Sequence, residues 1–417
     1  MKKHSPWSWV PSLYFAEGLP YVVVMTLAVV MYKKLEVSNA EIALYTSWLY
    51  FPWVIKPLWS PFVDLIRTKR WWIWAMQLLI GGGMAGVAFM IPMDFYLQAT
   101  LAFFWLMAFS SATHDIAADG FYMLGLDEEK QAFFIGIRNT CYRIAMLTGQ
   151  GLLVMIAGTL EELTGRIPFA WSITFFILAG LMIALSLWHR FILPYPKTDA
   201  ARLNLSAAHI LKEFGNTFAS FFRKKGIGFA LLFMLTYRLG ESQLLKLASP
   251  FLLDKAEAGG LGLSTTEVGM AYGIVGVICL LLGGILGGIT LSRYGLKRCI
   301  WPMALAISLP NLVYLYMAYA LPESFVTVNI CVGIEQFGYG FGFTAYTMYL
   351  MLFAEGEYKT SHYALSTGFM ALGMMLPGMV SGWIQEQIGY QHFFIWVMIC
   401  CIPAYLVIPF LKLNDRR

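Results

Sequence analysis

The chain has 417 residues, of which 59% are hydrophobic and only 13% charged, whereas soluble domains average about 45–50% apolar and ~25% charged residues. That apolar surplus is more than a water-soluble core can hide, and the composition excludes intrinsic disorder, collagen, a coiled coil and a disulfide-stapled secreted scaffold. What remains is a polytopic membrane protein, whose net charge of +5 is to be read from where the basic residues fall and not as a nucleic-acid surface.

A bilayer core of about 30 Å takes roughly 20 helical residues to cross. Twelve apolar runs of that kind follow in order, at about 10–32, 41–63, 71–91, 97–123, 133–158, 168–188, 227–253, 265–291, 299–320, 325–351, 362–384 and 391–411. The first is too long for a signal-peptide core, and no small-residue cleavage site follows it. With both termini in the cytoplasm, twenty of the 29 Lys and Arg residues fall in inside segments. Four (Lys33, Lys34, Arg166, Lys255) fall outside, and five (Lys56, Arg138, Arg143, Arg238, Lys246) lie within spans. This is the asymmetry the positive-inside rule expects. The six cysteines lie in or beside apolar runs and read as small hydrophobes.

The predicted fold is an all-α membrane protein with 12 transmembrane helices in two six-helix halves. The halves are 1–190 and 227–417, joined by a cytoplasmic linker at 191–226. The linker carries Ala207, Ile210, Leu211, Phe214, Phe218, Phe221 and Phe222 at 3–4 spacing, the pattern of an amphipathic helix on the membrane surface.

Ionisable residues at lipid depth are costly and mark cavities, partners or pathways. In the first span Glu17 precedes Gly18-Leu19-Pro20, which predicts a kinked or partly unwound helix beside a coupling or substrate residue; the alternative is a solvated carboxylate at the mouth. Lys56 in the second span has no acid on its own face and needs a partner from another helix or an anionic ligand. In the fourth span Asp115 and Asp119, four residues apart, share one face. They are read either as proton carriers or as structural ion pairs with Arg138 or Arg143 of the fifth span. His114, next to Asp115, is a candidate to share its proton. Tyr122 and Tyr142 are candidate sugar-binding rings, with core packing as the plainer reading. In the seventh span Glu241 is a candidate substrate residue or a partner that neutralises Arg238.

The halves carry repeated signals. Gly288-xxx-Ser292-Arg293-x-Gly295-x-Lys297-Arg298 follows the eighth span, and Ser60-Pro-Phe-Val-Asp64-Leu-Ile-Arg67-Thr-Lys69-Arg70 follows the second. Gly158-xxx-Glu162-xx-Gly165 follows the fifth span and Gly382-xxx-Glu386-xx-Gly389 the eleventh; Glu17 and Glu241 hold matching places in the first and seventh. Duplicated six-helix halves are the arrangement that supports alternating access. The loop motif resembles that of the major facilitator superfamily. In it Asp64, Gly288, Arg293 and Gly295 are expected to gate the conformational change: the glycines by letting helix ends approach, Asp64 or Ser292 by capping a neighbouring helix, Arg293 by pairing with an acid.

Four stretches are similar to the AmpG-type muropeptide permeases of that superfamily: Phe15-Ala-Glu-Gly18-Leu19-Pro20, Lys56-Pro-Leu-Trp59-Ser60-Pro61-Phe-Val-Asp64, Ser110-Ser111-Ala112-Thr113-His114-Asp115-Ile116-Ala-Ala-Asp119 and Tyr142-Arg143-Ile-Ala-Met146-Leu147. All lie in the first 150 residues, and acetyl-coenzyme-A transporters share part of the pattern. The resemblance implies proton-driven import of anhydro-muropeptides or an amino-sugar disaccharide from peptidoglycan recycling, and Lys56, Asp64, Asp115, Asp119 and Arg143 carry over position by position. Two departures, Glu17 for a small residue and His114 for Gln, change the charge a ligand meets.

The expectation is therefore a secondary transporter of the bacterial inner membrane that takes up a sugar or sugar-peptide with protons. Glu17, Asp115 and Asp119 are the proton carriers, and Lys56 and Arg143, with Arg138, are the anion-binding cations. No nucleotide-binding loop, metal spacing or nucleophile set is present, so neither a cofactor nor an enzyme is expected. No nucleic-acid partner is expected, and the chain is taken as a monomer in the bilayer. The alternatives are an exporter of drugs or metabolites on the same fold, an acetyl-coenzyme-A-like transporter, and a membrane-embedded sensor or scaffold.

Overall fold

The structure, a computed structural model, describes residues 5–196, 199, 207–356 and 359–413, with the side chains of a few helix residues, Asp64 among them, outside that set. Part of the expected linker (197–198 and 200–206) therefore lies outside the described residues. Among the described residues all regular structure is helical. In lipid this is what backbone hydrogen bonding requires, because a helix satisfies every donor within one segment.

Seven helical stretches are long and apolar enough to cross a membrane: Pro6–Lys34, Lys69–Met90, Gly136–Thr164, Ile167–Ile192, Thr265–Tyr294, Leu296–Ala320 and Ser361–Phe410. The last holds two passes, because at Gly389 the backbone leaves helical geometry with φ 75° and ψ 166°. Four further passes carry intramembrane charge or are interrupted along their length: Asn39–Trp48 with Phe51–Ile66, Tyr96–Gly125, Ile227–Thr236 with Leu239–Leu253, and Phe325–Ala354. Twelve passes result, in the predicted order. The fifth is longer than expected: Asp127 caps its start by accepting from Lys130 N, and Gly165, at φ 64°, ends it. Gly165 and Gly389 hold matching places in the sequence repeat, so both halves stop a helix with the same left-handed residue.

The first pass does not unwind at Gly18-Leu19-Pro20. The helix Val10–Val22 continues through Pro20 and widens into a π turn over Val23–Leu27. The fifth and eighth passes hold π turns at Leu147–Leu152 and Gly269–Val275. The first pass therefore stays helical on both sides of Pro20, as lipid requires of the backbone.

By packing, the chain divides into two compact units: Met1–Met31 with Ile55–Ile210, and Tyr32–Val54 with Leu211–Arg417. In the first, close approach is carried by small residues. Gly83 lies against Met107, Gly86 against Phe103 and Gly81 against Ile183, so the third pass touches both the fourth and the sixth. At its loop end Trp9, Leu13, Tyr14, Ile73, Phe121 and Leu193 close a buried cluster. In the second unit the eighth and ninth passes press on the tenth through glycines on both sides. A Cβ at Gly283 would stand 2.1 Å from Phe337 O, and one at Gly338 would stand 2.2 Å from Ala306 O. Small-residue faces of this kind let bilayer helices pack where hydrophobic burial gives no net drive.

The linker helix Ala207–Phe222 ends in the second unit. Phe221 is fully buried, stacked on Phe369, and Ser220 bonds His362 at 2.9 Å. Lys224 donates to the carbonyls of Phe353 and Glu355 at the end of the tenth pass. Its partial burial holds the ammonium below the ordinary lysine range, opposed by Glu355.

The glycine contacts make a directional prediction. Gly283→Ala is expected to lower stability by about 1–3 kcal/mol, because a backbone carbonyl cannot step aside. Gly284→Ala, whose Cβ would have its nearest neighbour at 3.9 Å, is expected to be tolerated. Thermal unfolding midpoints of the two variants in detergent give the comparison.

Candidate functional site

In the first unit, the first, second, fourth and fifth passes converge on one cluster of charges. Lys56 Nζ meets Asp115 Oδ2 at 3.0 Å, and Arg138 meets Asp119 Oδ1 at 2.8 Å. Tyr14 donates to Asp119 at 3.3 Å, and the Arg138 guanidinium lies 4.4 Å from the centre of the Tyr14 ring and 5.7 Å from that of Tyr122. Both aspartates are thus ion-paired, so two anions four residues apart are held by two cations from neighbouring helices. Of the two expectations for Lys56, a partner from another helix or an anionic ligand, the geometry gives the partner, Asp115.

Glu17 lies within electrostatic reach of Asp115, Asp119, Arg138 and Lys56. It is 7% exposed, and its Oε2 has no hydrogen-bond partner among the described residues. Arg143 takes no part in the ion pairs, and the contact recorded for its guanidinium is Met146 Sδ at 3.5 Å.

His114 is not brought to Asp115. It bonds Gln77 of the third pass at 2.8 Å, Gln77 bonds His189 at 2.8 Å, and His189 bonds Ser12 at 2.9 Å. This buried polar chain ties the first, third, fourth and sixth passes. A histidine on an otherwise small-residue helix face gives no clue in one sequence to its partner 37 residues earlier. Tyr122 spends its hydroxyl on Gln131 O at 2.5 Å, which favours the packing role. Tyr142 lines the close contact with Gly18.

The second unit holds its own intramembrane charges, arranged differently. Arg238 bonds the Tyr339 hydroxyl and lies over the Tyr339 and Phe343 rings; a guanidinium on aromatic faces is a favourable desolvated contact. Glu241 does not pair with it: both its carboxylate oxygens are without a hydrogen-bond partner among the described residues. Glu335 on the tenth pass accepts from Gln336 at 2.9 Å through Oε2, and its Oε1 is likewise without a partner. Lys246, 3% exposed, donates to Thr46 Oγ1 at 3.0 Å and lies 5.1 Å from the centre of the Tyr50 ring; no carboxylate pairs with it among the described residues. Glu335 and Lys246 are candidate functional residues that sequence reading leaves unassigned. Their signal was present, as ionisable residues at lipid depth, but nothing in the sequence ranked them.

The hairpin between the first and second passes builds a polar clasp within the same unit. Lys33 pairs with Asp254 at 2.6 Å and donates to Asn39 at 2.8 Å. Asn39 donates to Gln385 at 2.7 Å and Tyr390 at 2.9 Å, and Tyr390 donates to Asp254 at 2.6 Å. Ala40 N donates to Glu386 at 2.8 Å. Gly382 permits the approach, since a Cβ there would fall 2.0 Å from Asn39 O.

The loop motif behaves otherwise than expected. Gly288 faces open space, and Gly295 turns the chain at φ 75°. Arg293 is exposed with no ion pair among the described residues, and Ser292 bonds Ile289 of its own helix at 2.8 Å. The Asp64 side chain lies outside the described residues. The helix-capping acid that is visible is Asp199, which accepts from Lys69 N at 2.8 Å and Arg70 N at 3.0 Å.

Twelve passes in two six-helix halves, with ionisable side chains set inside the bundles, are the architecture of a polytopic membrane transporter. The family model of the Major Facilitator Superfamily matches residues 12–361, and the chain belongs to that superfamily. It is similar to the putative transporter AmpG 4 of Rickettsia conorii, 26% identical with 96% of this chain and 95% of the relative covered. It is also similar to the anhydromuropeptide permease of Escherichia coli K12, 24% identical over 95% of this chain and 77% of that one. Among solved structures, the nucleoside transporter NupG superposes with a TM-score of 0.70 at 17% identity, covering 97% and 99% of the two chains.

The ion pairs predict non-additive variants. Lys56→Met and Asp115→Leu should each destabilise the protein by about 2 kcal/mol, less than the ~3–5 kcal/mol of breaking a fully buried pair, while the double variant regains most of the loss. Denaturation midpoints of the three proteins decide it.

Proposed function

We propose that the chain imports a peptidoglycan-derived anhydro-muropeptide or amino-sugar disaccharide together with protons across a bacterial inner membrane, with both termini in the cytoplasm. The carrying observation is that two intramembrane cations, Arg143 and Lys246, have no carboxylate partner among the described residues. An uncompensated cation at lipid depth favours an anionic ligand, and a muropeptide supplies carboxylates. The name of the relative from Escherichia coli supports the same substrate class. In this reading the clasp around Asn39 and Asp254 closes the outer end, and the domains divide functionally at 1–190 and 227–417.

Of the three expected proton carriers in the first half, Glu17 is the one with an unpartnered oxygen; Asp115 and Asp119 are held by their cations. The proton is therefore assigned to Glu17, with the two aspartates keeping Lys56 and Arg138 in place.

Uptake of labelled anhydro-disaccharide, with and without attached peptide, into proteoliposomes under an imposed proton gradient tests this reading. Wild-type protein is expected to accumulate one of them, and uptake indifferent to the gradient would remove the coupling claim. Arg143→Gln should raise KM at least tenfold, the loss expected on removing a hydrogen bond to a charged group, about 1.5–3 kcal/mol. Glu17→Gln should keep exchange of substrate across the membrane and lose accumulation.

A further inference from the structure

We infer that the second half of the chain carries a binding site for the phosphate headgroup of an anionic phospholipid, built where the linker enters the seventh pass. A cavity of about 320 Å³ opens there, between the end of the linker, the start of the ninth pass and the ends of the tenth and twelfth. Lys224, Lys225 and Lys412 face it, and the one acid that does so among the described residues is Glu355. None of these residues enters the transport reading, so the inference stands independently of it.

The three lysines are placed in different ways. Lys224 is half-buried and donates to the carbonyls of Phe353 and Glu355. An ammonium has three donors, so one is left for a ligand. The stem of Lys412 runs beside the linker backbone, its Cδ 3.8 Å from where a Cβ at Gly226 would stand. Lys225 and Lys412 are exposed, and no carboxylate pairs with either among the described residues. Gly226, at φ 87°, turns the chain into the helix Ile227–Thr236 and offers no side chain to cap it. Gly226 also lines the cavity, so the positive end of that helix adds to the potential of the lysines.

Charge alone would suit any phosphate, and the surroundings favour a lipid. The wall of the cavity is apolar, made by Leu296, Tyr349, Leu352 and Leu411. Phe229, three residues after Gly226, and Phe410, two residues before Lys412, stack with their ring centres 4.9 Å apart and are 43% and 59% exposed. A free phosphate gains nothing from such surfaces, whereas a phospholipid presents a charged headgroup and apolar chains together. Basic pockets between helices on the cytoplasmic side suit anionic headgroups, and this end of the bundle lies on that side when both termini are cytoplasmic. The excess of cations over Glu355 matches a phosphodiester anion. Once bound, it ties the linker to the ends of the tenth and twelfth passes.

The test uses the full chain in an uncharged detergent. Native mass spectrometry measures the binding of phosphatidylglycerol and of phosphatidylcholine with the same acyl chains. Wild type is expected to prefer phosphatidylglycerol. The double variant Lys225→Gln with Lys412→Gln is expected to lose about tenfold in affinity for it and to bind phosphatidylcholine as before. Lys359→Gln, at an exposed lysine outside the cavity, is expected to bind like wild type.

Thermal unfolding gives a second readout. Phosphatidylglycerol should raise the midpoint of wild type and not that of the double variant, while the two midpoints agree without lipid because both substituted side chains are exposed. Equal binding of phosphatidylglycerol by wild type and the double variant overturns the site, and so does an equal loss in Lys359→Gln. Inorganic phosphate that raises the wild-type midpoint as far as the lipid does would assign the cavity to a free anion and overturn the lipid headgroup.

Discussion

A charge at lipid depth must be compensated, hydrogen-bonded or neutral, and this constraint organises the interior of both halves. Insertion scales put an ionised side chain at mid-membrane at about +2.5–3.5 kcal/mol. In a fold whose helices associate through small residues and packing, such penalties are not absorbed by a large hydrophobic gain. The first half meets the constraint with ion pairs, Lys56 with Asp115 and Arg138 with Asp119. The second half meets it with aromatic faces under Arg238, a threonine on Lys246 and, for Glu241 and Glu335, with no partner cation. The two compact units thus meet one electrostatic constraint in two ways.

The same currency explains the clasp near Asn39. Lys33 and Asp254 are about 16–17% exposed, so their pair sits where water can replace each partner's contacts. Pairs of that kind contribute little net stability. What the network supplies is specificity of geometry: Asn39, Tyr390 and Asp254 bond one another and so fix one arrangement of the hairpin. The rigid part of the contact is steric. Gly382 lets the eleventh pass reach the Asn39 backbone.

Hydropathy and the Lys/Arg asymmetry made the twelve passes legible before any coordinates, because crossing a bilayer imposes a length and a polarity on each segment independently of its neighbours. The repeat that carries Gly165 and Gly389 was legible as well, but not that its last glycine stops a helix, since the spans read from hydropathy end before it. The partners of the buried charges were not. Asp115 and Asp119 share one helix face, but whether Lys56, Arg138 or Arg143 meets them depends on the rotation and tilt of three helices, which no periodicity in one sequence encodes. His114 shows the same limit: adjacency to Asp115 in the chain put it on a different face, against Gln77. Gly288 read as a site of close approach, yet Gly287, the residue just before it, and Gly283, about a turn before that, are the residues that touch the tenth pass.

Ion pairing also decides what the two aspartates do to the helices around them. Lys56 with Asp115 and Arg138 with Asp119 join neighbouring passes at 2.8–3.0 Å, and removing either member of a pair would strand the other charge in low dielectric. The cluster therefore fixes the rotation of the second, fourth and fifth passes against one another as well as balancing their charge, because a cation turned away from its aspartate would leave both without compensation.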